Sequence, residues 1–231
     1  MQILKLKNCY VLVHDDNESM IALQSGKLAT GPLDADLIKS LEEKLNSFIS
    51  IVSRFVELPD NGTILDIGAG ASLFDMALAK HYPEKNLNFI LVDGNEFDKN
   101  DKNVDQTIYG AGHQPYNRWE PVFDNLKLNN IDLTKFKTVN PYNEYWAEPE
   151  SCDLVMTTSS WGWHYPVSTY LEKAYNLLKP GGYLIIRPLL NINNHLETVN
   201  AVFGKPVFLK EFSFAVILGR VKKDEKDKWQ K

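Results

Sequence analysis

The chain has 231 residues, 44% hydrophobic and 24% charged, with a formal net charge of −5. That length and balance suffice for a sizeable core, and the acidic surplus speaks against a partner bound through phosphate contacts, such as nucleic acid. Cys9 and Cys152 stand far apart with no C-x-x-C spacing, Asp15, Asp16 and Glu18 come too early for a signal peptide, and no apolar run of about 18 residues reads as a membrane span; a cytoplasmic chain without disulfide framework, zinc site or membrane segment is expected.

Residues 3–13 and 19–24 read as short strands around the polar turn HDDNES. Residues 34–57 predict an amphipathic helix, since Leu37, Leu41, Leu45, Phe48, Val52 and Phe55 recur at steps of three and four. Asp34 and Asp36 suit its start and Pro59 its end. After the turn Asp60-Asn61-Gly62 the pattern alternates. A strand over 63–67 leads to a helix over 71–82, then to an almost wholly apolar strand over 87–93 and a weaker one over 126–132. A buried strand over 153–158 precedes a helix over 167–179, stopped by Pro180-Gly181-Gly182, and a strand over 183–189. A helix over 194–203 and two strands over 206–211 and 214–221, read as an antiparallel pair, close the fold. Apolar strands separated by helices predict a parallel sheet covered on both faces.

Between residues 94 and 125 the rhythm breaks, in a stretch holding Tyr109, Tyr116 and Trp119 among glycines and prolines. Long aromatic segments at a strand's carboxyl end serve as lids or substrate walls, or pack as peripheral insertions, and both readings stand.

The stretch TILDIGAGASLFDMALA, residues 63–79, runs from strand to helix through Gly68-Ala69-Gly70. Glycines at such a turn let the backbone approach a ligand, with a helix N-terminus behind it. A dinucleotide fingerprint would place a third glycine at Leu73. Asp66 precedes the turn instead, which suits a ligand with a positive amino group better than a pyrophosphate.

These residues resemble the class I S-adenosylmethionine-dependent methyltransferases over about residues 60–221. LDIGAGAS resembles their first motif, and FILVDGN their second strand, whose terminal acid, here Asp93, holds the ribose hydroxyls. NNIDL resembles the third strand, making Asp132 the candidate for the adenine amine. CDLVMTTSSWGWHYP resembles the fourth strand with its active-site loop, and LEKAYNLLKPGGYLIIRP the helix, turn and fifth strand. The resemblance implies S-adenosylmethionine as cofactor, held by Asp66, Gly68, Ala69, Gly70, Asp93, Gly94, Asp132 and Thr157. It also implies an α/β three-layer sandwich, Rossmann-like, with a seven-strand, mainly parallel sheet and an antiparallel strand at the C-terminus. One domain is expected over 1–231: N-terminal strands and a cap helix over 1–59, the core over 60–221 with an insertion over 94–125, and a charged tail over 222–231. A narrower likeness of SSWGWHYPVSTYL and of Tyr116-Asn117 to sugar O-methyltransferases points to a small-molecule or saccharide acceptor, methylated at oxygen. An RNA or protein methyltransferase and a non-catalytic subunit of the same fold are the rival readings.

An attacking hydroxyl benefits from a general base. His164, in the loop after the fourth strand, is the candidate, with His113 second; the alternative is a loop histidine packed between Trp163 and Tyr165. Trp161, Trp163 and Tyr165, with His113 and Tyr116, are the candidate substrate wall, or else fill space beneath the insertion. Asn140-Pro141-Tyr142 reads as an exposed turn and Gly110-Ala111-Gly112 as a loop, and no spacing argues for a metal.

Overall fold

The computed structural model describes residues 2–7, 9–13, 35–94, 119–141, 143, 145–158, 160, 161, 166–188, 192–212 and 214–221. Two strands, β1 (Gln2–Lys5) and β2 (Tyr10–Val13), pair antiparallel. The single strand expected over 3–13 is thus a hairpin that turns at Leu6–Cys9, where the Leu6 N–H donates to the Cys9 carbonyl. The expected strand at 19–24 lies outside the described residues.

Helix α1 (Ala35–Phe55) follows the predicted periodicity. Leu41, Leu45, Phe48, Ile51 and Val52 are buried, whereas Phe55 is 38% exposed, its ring beneath the Arg54 guanidinium. The core alternates as expected. It comprises β3 (Thr63–Ile67), α2 (Leu73–His81), β4 (Asn88–Val92), α3 (Trp119–Leu128), β5 (Phe136–Val139), β6 (Cys152–Thr157), α4 (Leu171–Leu177), β7 (Leu178–Ile186), α5 (Ile192–Phe203), β8 (Val207–Glu211) and β9 (Phe214–Arg220). The sheet order is β5-β4-β3-β6-β7-β9-β8. Every pairing is parallel except the two made by β9, which is the antiparallel strand expected near the C-terminus.

Two segments depart from expectation. The helix expected to reach 179 ends at Leu177, and Pro180-Gly181-Gly182, read as its stop, lie within β7. Residues 126–132 are not a strand. Trp119–Leu128 is a helix, because Trp119, Val122 and Leu126 recur at helical steps and pack onto the core. The third parallel strand is Phe136–Val139, at the sheet edge, with Lys137 exposed.

The side chains of successive strand residues divide between two faces. Ile64, Leu154, Met156, Tyr183 and Ile185 meet α1, α2 and α3; Leu65, Val155, Leu184 and Ile186 meet α4 and α5. Asp153 ties the amino ends of three strands together, accepting from the Thr63 N–H at 2.8 Å and from Lys179 Nζ at 2.7 Å. The hairpin is clamped to the end of α3 by Asn129, which accepts from the Tyr10 N–H at 2.8 Å and donates to the Tyr10 carbonyl at 2.6 Å. Among the described residues no helix is long and apolar enough to cross a membrane.

Candidate functional site

The turn between β3 and α2 is wound left-handed at Gly68 (φ 77°), Gly70 (φ 54°) and Ser72 (φ 53°). Its amides are held by the neighbouring strand, with the Gly68 N–H donating to the Val92 carbonyl at 2.7 Å. A Cβ on Gly68 would overlap the Ser160 side chain, so this glycine lets the loop after β6 close against the turn. The strand-turn-helix pattern leads one to expect a ligand against this turn; at Gly68 the close neighbour is Ser160.

Asp93 follows β4 and faces the same turn. Its Oδ2 accepts from the Gly70 N–H at 2.6 Å and its Oδ1 from the Gly94 N–H at 2.7 Å. Burial pushes its carboxyl up to about 6, against the lowering pull of those two amides. Asp66, next to last in β3, is 1% exposed; Asp75, in the first turn of α2, is fully buried. Burial raises both, Asp75 to about 7; at Asp66 the neighbouring Asp75 and then Asp93 add to the effect of burial. With their carboxyls raised, Asp66 and Asp75 hydrogen-bond one another through a shared proton, and Ser72 Oγ beside them is buried without a partner. Two buried acids beneath the turn disfavour a pyrophosphate and suit a ligand bearing positive charge. The residues present therefore fit S-adenosylmethionine.

The other expected residues fall differently. Ala69 is buried in the turn and Gly94 is buried beside Asp93. Asp132 precedes β5 rather than following the third strand. It is exposed at the amino edge, where it caps a turn by accepting from the Thr134 N–H at 2.9 Å. The shift of the third strand moves the corresponding carboxyl-edge position to Asn140, which directly follows β5 beside Asp93, whose N–H donates to the Val139 carbonyl at 3.1 Å. Thr157 is fully buried and serves the backbone: its Oγ1 accepts from the Trp161 N–H at 3.1 Å. Trp161 is a correction to the substrate wall. It is 0% exposed, on the face opposite Asp66, with Nε1 donating to the Val167 carbonyl at 2.9 Å, so it presents no open ring. His113, Tyr116, Trp163, His164 and Tyr165 lie outside the described residues. Sequence reasoning missed Ser72, Asp75, Asn140 and Ser160; an acid inside the apolar helix run LFDMALA was the one visible signal.

No protein-family model matches the chain, and no curated protein matches it at a significant level. Solved structures do match in fold. A proposed S-adenosyl-L-methionine-dependent methyltransferase from Methanococcus maripaludis superposes with a TM-score of 0.54 at 16% identity, covering 86% of this chain and 98% of that one. A SAM-dependent methyltransferase from Aquifex aeolicus gives 0.52 at 14%, covering 82% of this chain and all, 100%, of that one. A complex between the Haloferax volcanii Trm112 methyltransferase activator and a proposed methyltransferase gives 0.51 at 11%, covering 89% of this chain and 99% of the matched one. Sheet order, the acid-flanked glycine turn and these superpositions agree: the chain has the fold of the class I S-adenosylmethionine-dependent methyltransferases.

Proposed function

We propose that this chain is an S-adenosylmethionine-dependent methyltransferase whose acceptor is a small molecule or saccharide, methylated at oxygen. The observation that carries the reading is Asp93, fixed by the Gly70 and Gly94 amides at the carboxyl edge beside a turn underlain by Asp66 and Asp75. Asp66, the backbone from Gly68 to Gly70, Asp93, Gly94 and Asn140 would hold the cofactor. When bound, it supplies an electrophilic methyl group on a good leaving group. The chain positions the reactants. Gly68 leaves room for Ser160, so the loop after β6 packs close against the turn. We assign proton acceptance to His164 in that loop, with Trp163, Tyr165, His113 and Tyr116 lining the acceptor side; the saccharide class rests on the likeness of SSWGWHYPVSTYL. Residues 1–59 would form the cap and 60–221 the core of one domain.

Calorimetry with S-adenosylhomocysteine and, separately, NAD tests the reading. Saturable binding of the first and none of the second is expected; the reverse would overturn it. Release of S-adenosylhomocysteine from S-adenosylmethionine with hydroxyl and amine acceptors of matched skeleton then separates oxygen from nitrogen methylation.

A further inference from the structure

α1 runs parallel to α2. Phe48 meets Phe74 in the first turn of α2 with ring centres 5.1 Å apart, and Ser53 Oγ meets Tyr82 Oη just beyond its last turn at 2.8 Å. The turn of the N-terminal hairpin, residues 6–9, joins the two helices around a cavity of about 460 Å³. That is within the size range of small-molecule sites. α2 contributes Ala77, Lys80 and His81 from its second half, whereas the glycine turn precedes its first residue. The cavity is therefore separate from the cofactor turn.

Its floor is apolar. Leu6, Cys9 and Leu45 are buried, and Ile49 and Ala77 half-buried. Burial pushes the Cys9 thiol up to about 11, so it stays neutral and packs as a small hydrophobe. Glu42, Leu45, Asn46 and Ile49 recur at steps of three and four along one face of α1. The span from Glu42 to Ile49 gives this wall a length of about 10 Å, the reach of a medium-length acyl chain.

The rim is charged. Lys7 and Lys80 are exposed there, and among the described residues neither ammonium has a hydrogen-bond or ion-pair partner. Of the described residues lining the cavity Glu42 is the one acid, and its Oε1 already accepts from the Lys7 N–H at 2.6 Å. His81 is engaged with α1, its Nε2 standing 3.2 Å from Ser53 Oγ. Two ammonium groups against one carboxylate leave a single positive charge above the apolar floor.

We propose that this cavity binds an aliphatic monocarboxylate of medium chain length, the chain against Leu45, Ile49 and Ala77 and the carboxylate toward Lys7 and Lys80. An apolar lining with a few charged groups to fix orientation is the general build of a small-molecule site, and a monoanion matches the surplus charge. The lining residues are aliphatic apart from the His81 imidazole, which favours an acyl chain over a flat aromatic acid. The site stands whether or not the chain transfers methyl groups.

Calorimetry of the full chain with octanoate, at constant ionic strength and below its micellar range, tests the assignment. Octan-1-ol and acetate separate the contribution of the chain from that of the charge. Saturable octanoate binding is expected, with each control weaker by roughly tenfold or more. Ala77→Leu sets a larger side chain into the cavity from a helix position that tolerates it, and should abolish binding. Lys80→Met should weaken binding roughly three- to fivefold, the share of one solvated charge pair, and Lys80→Arg should retain it. The double variant Lys7→Met with Lys80→Met provides a second loss should Ala77→Leu fold poorly. S-adenosylhomocysteine affinity should agree within about twofold with and without octanoate. The site is overturned if octanoate does not saturate, if octan-1-ol binds as tightly, if S-adenosylhomocysteine displaces octanoate, or if the loss variants bind like the wild type.

Discussion

Gly68 serves two needs at once, a left-handed backbone and an absent side chain where Ser160 arrives. Gly68→Ala should therefore lower both melting temperature and S-adenosylhomocysteine affinity. Adding Ser160→Gly should recover the part due to overlap and leave a strain cost of about 1–2 kcal/mol, the usual price of a left-handed non-glycine residue. Equal damage in the single and double variants would show that the overlap has no role. Asp93 carries a different load. Its carboxylate would accept the ribose hydroxyls, and bonds to charged groups contribute about 1.5–3 kcal/mol, so Asp93→Ala should weaken cofactor binding roughly ten- to hundredfold in calorimetry. A change below about twofold would transfer that role elsewhere.

Among the elements, β3, β6 and β7 depend on one side chain at their amino ends. Asp153 is the acceptor for both the Thr63 amide and Lys179, and removing it strands a backbone donor. Asp153→Ala should cost about 2 kcal/mol, a drop of roughly 4–8 °C in thermal melting for a chain of this size. Because the pocket lies at the opposite edge, affinity for S-adenosylhomocysteine should hardly change. β3 and β6 were legible because they are mainly apolar runs of five and six residues, buried almost throughout. β5 was not: it is four residues long, lies at the sheet edge and buries only its two end residues, Phe136 and Val139, so its pattern is faint. Trp119–Leu128 hid for another reason, its helical spacing starting beside an aromatic, proline-containing stretch that reads as loop.

For the molecule as a whole, the acid cluster links stability and cofactor binding to pH. In the folded chain Asp93 and Asp75 are raised from an ordinary 3.8 to about 6 and about 7, and Asp66 is raised as well. The folded state thus binds more protons than the unfolded state between roughly pH 4 and 7. The stabilisation they contribute is complete below that window and is lost as pH rises through the folded values. The cofactor-free wild type should lose stability relative to Asp75→Asn between about pH 5 and 8, measured by thermal melting; a constant difference would refute the shift. A cation-bearing cofactor favours the ionised acids, so its affinity should rise over the same range with release of protons, which calorimetry in two buffers of different ionisation enthalpy detects.

Hydrophobic periodicity and glycine placement are local properties, and they alone determined the α/β alternation, the helix over residues 35–55 and the turn at Gly68–Gly70. The acid at the end of each of the first two core strands was equally visible, since each sits where an apolar run stops. Which groups meet across the fold is set by strand order and helix docking, and no local pattern encodes that. Only the tertiary structure buried Trp161 away from the pocket and moved Asp132 to the far edge of the sheet. It also set Asp75 beneath Asp66, brought Ser160 against Gly68 and laid Arg187 over Phe214, because each of those pairings joins residues that the chain itself holds far apart or on different elements.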